Sequence, residues 1–137
     1  MRKTAKKKTF TVLKQWAFDY DGAAIYCLKD QFGMVYVGQA KNLQNRLKQH
    51  RYALQRVLEG GKGDGEGVKI RKAVQGGSIF EAFILEPISA DDSTVNNLRE
   101  KEAYWVDKFG GLSGTYNTGV MHAPNWRVND FNEPMNK

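Results

Sequence analysis

A glutamate at position 102 stands where an apolar residue would be expected. Residues 92–109 place Val95, Leu98, Trp105, Val106 and Phe109 on one stripe of a helix, and Glu102 falls inside that stripe while Glu100 and Lys101 fall off it. A carboxylate on a core-facing stripe is costly unless a cation or hydrogen-bond donors meet it. Glu102 therefore calls for a positive partner, either a basic side chain or a metal ion. Spacing alone also allows a glutamate at the stripe's rim that reaches solvent, or a structural ion pair. Residues 42–59 repeat the anomaly with the opposite sign. Around Leu43, Leu47, Leu54 and Val57, His50 lies within the apolar arc and Arg46 at its edge, on adjacent helical turns. His50 alone could be a hydrogen-bonded core histidine. Tyr26 and Tyr36, on two short apolar segments, could each be a packed aromatic. Taken together, a guanidinium, an imidazole, a phenol and a metal-ready carboxylate suit phosphodiester hydrolysis. Metal and arginine would offset charge developing on phosphate while a general base activates the nucleophile.

The elements that must position these groups are legible in outline. Residues 24–28 and 34–38 are apolar segments flanking Asp30-Gln31-Phe32-Gly33, which predicts a β-hairpin. A long helix follows, with Asn42 as its cap, Leu58 completing its apolar face and Gly60-Gly61 as its stop. Residues 60–67 alternate glycine with Lys62, Asp64 and Glu66, a connector that lacks the Gly-Lys-Ser/Thr ending of a phosphate-binding loop. Residues 68–74 predict a short helix ended by Gly76-Gly77, and residues 79–88 a strand closed by Pro87. Asp91-Asp92-Ser93 predicts the opening of a helix that runs through Phe109. Residues 110–137, rich in Gly, Asn and Pro, predict loops and a tail pinned by Trp126 and Phe131. Residues 10–20 fit a strand or a helix equally well. The order β, β, α, short α, β, α predicts an α+β layer structure with helices packed on an antiparallel or mixed sheet.

Composition bounds the rest. A chain of 137 residues with 41% hydrophobic and 26% charged residues is one folded domain with a core of its own. No apolar run approaches the roughly 20 residues of a membrane span, and the lysine-rich start has no apolar segment behind it. The lone Cys27 cannot form an internal disulfide or a cysteine-based zinc site, so a cytoplasmic protein is expected. The net charge of +6 is unevenly spread. Arg2, Lys3, Lys6, Lys7 and Lys8 supply five positive charges, leaving 16 basic against 15 acidic residues in the remainder. Such an arm attracts phosphate without sequence specificity, or serves only as a solvated terminus.

In chain order, Ala24-Ile25-Tyr26, Tyr36-Val37-Gly38, Arg46, His50, Glu102 and Tyr116-Asn117 resemble the GIY-YIG endonuclease superfamily. The resemblance spans about residues 24–117, and the stretch 36–50 is especially similar to the family's strand, turn and helix. Its first motif opens on Ala24 where the family usually has glycine, and its second holds Val37 for isoleucine. The resemblance implies a small three-stranded antiparallel sheet flanked by helices over residues 23–118. An arm and lead-in segment, 1–22, would precede this domain and a tail, 119–137, follow it. It implies one divalent metal, Mg2+ or Mn2+, held by Glu102, with Arg46 on the scissile phosphate. Tyr26, supported by His50, would be the general base or water-positioning group, and Tyr36 would shape the site or contact phosphate. Gly38 would permit close chain approach, and Asn117 would support the metal region or substrate. The implied partner is DNA, met also by the arm residues and by Lys41. No separate DNA-binding domain is expected after it, so recognition would fall to the module, the arm, the connector, a homodimer or a partner. The expected function is a metal-dependent DNA endonuclease working by activated water in a bacterial or phage-infected cell. The alternatives are an inactive nucleic-acid-binding or regulatory module of the same fold, and a structural protein that uses only its basic arm.

Overall fold

The first strand of the hairpin, β1 (Ala23–Asp30), is buried at every position except Lys29, as a strand covered on both faces must be. In a computed structural model that describes residues 10–60 and 67–118, it is the middle strand of an antiparallel sheet of order β2-β1-β3. β2 (Val35–Ala40) pairs with one side of it, setting Ala24 opposite Ala40, Tyr26 opposite Gly38 and Leu28 opposite Tyr36. β3 (Phe80–Ile88) pairs with the other side, with a register shift between Ile25 and Tyr26. The basic arm 1–9, the connector 61–66 and the tail residues Trp126 and Phe131 lie outside the described residues.

Side chains alternate across a strand, so Ala24, Tyr26 and Leu28 share one face while Ile25 and Cys27 share the other. The first face is covered by α1 (Leu43–Leu58) and α2 (Val68–Gln75) through Leu43, Leu47, Leu54, Val57, Ile70 and Val74. The second is covered by α3 (Val95–Lys108) through Leu98 and Val106. The sheet is thus sandwiched, and its hairpin is the predicted one. The turn is held by the buried Asp30 carboxylate, whose Oδ1 accepts from the Phe32 and Met34 amides at 3.0 Å each. Gly33 closes it at φ 90°, a conformation other residues seldom adopt.

α1 starts as predicted, with the Asn42 side chain accepting from the Asn45 amide at 2.9 Å. Leu58, placed by periodicity on the apolar face, is exposed. α3 begins later than the sequence suggests. Ala90–Asp92 forms a separate 3-10 turn, and Thr94 caps the helix by accepting from the Asn97 amide at 3.2 Å. Acidic and hydroxyl residues serve both structures equally well, so the sequence marks a start without choosing between them. Val95 and Phe109, at the two ends of the predicted stripe, are exposed, and the contact of α3 with the sheet is narrower than its apolar pattern.

Residues 10–20 form neither a helix nor a full strand. Leu13 makes a single parallel bridge to Phe80, with the Phe80 amide donating to Val12 O at 2.7 Å and the Lys14 amide to Phe80 O at 2.9 Å. Val12, Leu13 and Trp16 are buried in the core. Trp16 Nε1 donates to Gln44 Oε1 at 2.7 Å and ties this lead-in to α1.

After α3 comes a short 3-10 turn, Leu112–Gly114, and the chain then runs along the outer edge of β2. The Tyr116 amide donates to Val35 O at 2.8 Å. This segment is a fastening for an otherwise open strand edge. Lys69 Nζ holds it from α2 by donating to the carbonyls of Leu112 and Thr115 at 2.7 and 2.8 Å. Among the described residues, no helix is long and apolar enough to cross a membrane.

Candidate active site

The pairing of Tyr26 with Gly38 is where the site begins. Opposed residues on antiparallel strands project to the same face, and a Cβ on Gly38 would overlap both the ring and the hydroxyl of Tyr26. The missing side chain lets the phenol lie flat across β2 toward α1. There its hydroxyl stands 2.5 Å from His50 Nε2. Tyr36, on the same face of β2, sets its ring edge-on to His50 with centroids 5.6 Å apart, matching the Tyr26–His50 separation of 5.6 Å. His50 is thus buried with two tyrosine rings edge-on to it.

One turn earlier on α1, Arg46 is exposed, and its Nη1 donates to Gln49 Oε1 at 3.1 Å. It lines an open cleft of about 350 Å³ with Gln39, Lys41, Asn42, Asn45 and Gln49. Glu102 reaches the same place from the opposite layer. Val35, Val37 and Gln39 alternate onto the face of β2 that meets α3, and Gln39 Nε2 donates to Glu102 Oε1 at 2.7 Å. The two layers therefore meet over the end of the edge strand, where the guanidinium of one and the carboxylate of the other come within electrostatic reach.

Each ionisable group responds to this setting. Burial drives the Tyr26 phenol well above its ordinary value, with the nearby Tyr36 and Glu102 adding to the shift. The Arg46 guanidinium works against it by charge and hydrogen bonding. Burial pushes the Glu102 carboxyl up to about 7, while the Gln39 hydrogen bond and the charges of Arg46 and Arg99 pull it down. Burial thus outweighs the Gln39 hydrogen bond and the two arginines near the carboxyl. Among the described residues no three His, Cys, Asp or Glu side chains cluster, and Glu102 is the carboxylate that α3 brings to Gln39. One carboxylate beside an amide suits a hard divalent ion that keeps most of its own waters.

Tyr26, Tyr36, Arg46, His50 and Glu102 are thus gathered along β2, with Gly38 beneath the Tyr26 ring. Lys41 is exposed at the rim of the cleft. Asn117 is buried behind β2, not in the cleft: its Oδ1 accepts from the Val37 amide at 2.9 Å and its Nδ2 donates to Val37 O at 2.8 Å. Arg2, Lys3, Lys6, Lys7 and Lys8 lie outside the described residues. Sequence reasoning missed Gln39. The available signal was its polarity at an alternate position of β2 that otherwise carries Val35 and Val37.

No curated protein and no solved structure matches this chain. The family described as the GIY-YIG catalytic domain matches residues 23–117, the span that holds the whole sheet, its helices and every residue of the cluster. With that match and this arrangement, the chain belongs to the GIY-YIG family and carries its nuclease domain.

Proposed function

We propose that the protein is a divalent-metal-dependent DNA endonuclease that hydrolyses phosphodiester bonds through activated water. The observation that supports this most is the meeting of Arg46, Glu102 and the Tyr26–His50 pair at one end of the edge strand. Glu102, with Gln39 holding one of its oxygens, is the group that would bind Mg2+ or Mn2+. When bound, such a cation supplies positive charge against the negative charge building on the phosphate.

The remaining roles fall to the chain itself. Arg46, exposed at the cleft, binds the scissile phosphate and stabilises its developing charge. The Tyr26 phenol keeps its proton at neutral pH, because burial opposes the charged form. It becomes a base only in concert with His50. As the attacking water bonds to phosphorus, it passes a proton to Tyr26 Oη, the phenol proton moves to His50 Nε2, and the imidazole ends the step as the cation. The phosphorus–oxygen bond to the leaving group breaks, and the departing oxygen takes a proton from solvent. Tyr36 shields this relay from one side.

Supercoiled plasmid tests the reading. Wild-type protein is expected to nick and linearise it in Mg2+ and to leave it intact in chelator, while Glu102→Gln keeps its fold and DNA binding but does not cut. Binding without cleavage by the wild type would point instead to an inactive module of the same fold.

A further inference from the structure

The near-neutral balance of the chain beyond its arm conceals a division across the sheet. α1 carries Arg46, Lys48, Arg51 and Arg56, and α2 carries Lys69, Arg71 and Lys72, with no Asp or Glu in either helix. The first acid after α1 is Glu59, at its cap. The opposite layer differs in kind. α3 balances three acidic with three basic residues. On β3, Glu81 pairs with Lys29 and Glu86 bonds Lys101 and Trp105, so both acids also face the α3 side. The helices of one layer are therefore purely basic, with Asp21 accepting from the Gln44 amide at the start of α1, while the opposite layer carries both signs.

Some of these cations have structural work. Arg51 stacks over Phe10 and Trp16, and Lys69 holds the carbonyls of the segment after α3. Others form an ordered surface. Lys48, Tyr52 and Arg56 are exposed at four-residue intervals, one row on the outer side of α1, and Lys72 is exposed on α2. The row continues through Asn45 and Gln49 into the cleft beside Arg46. From residue 45 to residue 56 such a row is about 16 Å long, roughly five base-pair steps of duplex.

We infer that the outer surface of α1 and α2 carries the DNA backbone flanking the cut, so that the substrate approaches Arg46 over the basic layer and not over α3. The inference rests on the nuclease reading for its substrate class. Lys48 and Lys72 pair with phosphates beyond the scissile one, while the side-chain amides of Asn45 and Gln49 donate to the backbone nearest the cleft. The α3 layer, whose acids and bases nearly cancel, offers no comparable surface for phosphates and leaves one direction of approach.

The test is binding of a duplex of about 30 base pairs in chelator, followed by fluorescence anisotropy over a range of salt, where each lost phosphate contact lowers the log–log salt slope by about 0.9. The full chain is used throughout, so the basic arm contributes equally to every variant. Lys48→Glu combined with Lys72→Glu is expected to lower the slope by about two and to weaken binding at least roughly tenfold at low salt. Lys108→Glu, at the end of α3, is expected to bind as the wild type does. An unchanged slope in the double variant, or an equal loss with Lys108→Glu, overturns the inference and leaves the nuclease reading standing. Absence of salt-dependent binding by the wild type overturns both, whereas failure to cut plasmid with binding and slopes as predicted overturns only the nuclease reading.

Discussion

Gly38 has no side chain because Tyr26 occupies the space one would need. That single contact links a strand motif to the chemistry, since the phenol reaches His50 only by crossing β2 at this point. Gly38→Ala should therefore cost about 1–3 kcal/mol of stability, the usual price of overpacking, and should also lower cleavage by displacing the Tyr26 hydroxyl. Urea unfolding beside a plasmid assay checks both, and a variant as stable and active as the wild type would show that the ring is not confined there. At this scale the sequence was most readable where a residue's type clashed with its position. Glu102 and His50 stood out because helical periodicity defines which face is apolar. Gln39 did not, because a six-residue strand gives too few alternations to make one polar residue an anomaly. Only its contact with Glu102, 63 positions away, shows what it touches.

Elements were legible in proportion to how local their causes are. The hairpin, α1 and α2 came out as expected, since Asn42, Gly60 and the apolar spacing act within a few residues. α3 started late because Asp91 and Asp92 make a turn of their own before Thr94 caps the helix. The segment after α3 was the least readable. Its hold on β2 comes from Asn117, whose amide satisfies the amide and carbonyl of Val37 across 80 positions of chain. No periodicity encodes such a contact. Tyr116 adds a second link, its hydroxyl donating to Asp30 Oδ2 at 2.5 Å at the hairpin turn. Asn117→Ala leaves both buried backbone groups of Val37 without this partner and should cost about 2–4 kcal/mol. Asn117→Asp keeps the acceptor for the Val37 amide but sets a carboxylate oxygen against Val37 O, so at neutral pH it should lose at least as much. Thermal or urea unfolding of the pair measures the difference. Equal, negligible losses would mean that the edge of β2 is held by something else.

The molecule as a whole is two helical layers of unlike charge on a three-stranded sheet, with the candidate site where they meet at the edge strand. A guanidinium from the basic layer and a carboxylate from the other layer are brought together at β2, with the buried phenol and imidazole beside them. Neither layer alone would hold all four groups, so a working site requires the assembled sheet. This also explains why net charge was a poor guide. Sixteen basic and fifteen acidic residues beyond the arm nearly cancel in sum, yet α1 and α2 carry basic residues and no acids. The central claim is that Arg46 and Glu102 act on one phosphate as parts of one unit. Single-turnover cleavage by Arg46→Ala, Glu102→Gln and the double variant tests it most directly. Arg46→Ala should slow cleavage by roughly 10²–10³-fold, and the double variant should be little slower than the slower single one, as expected when either loss already disables the unit. Two single effects that multiply in the double variant, or near-normal cleavage by either single one, would contradict the account.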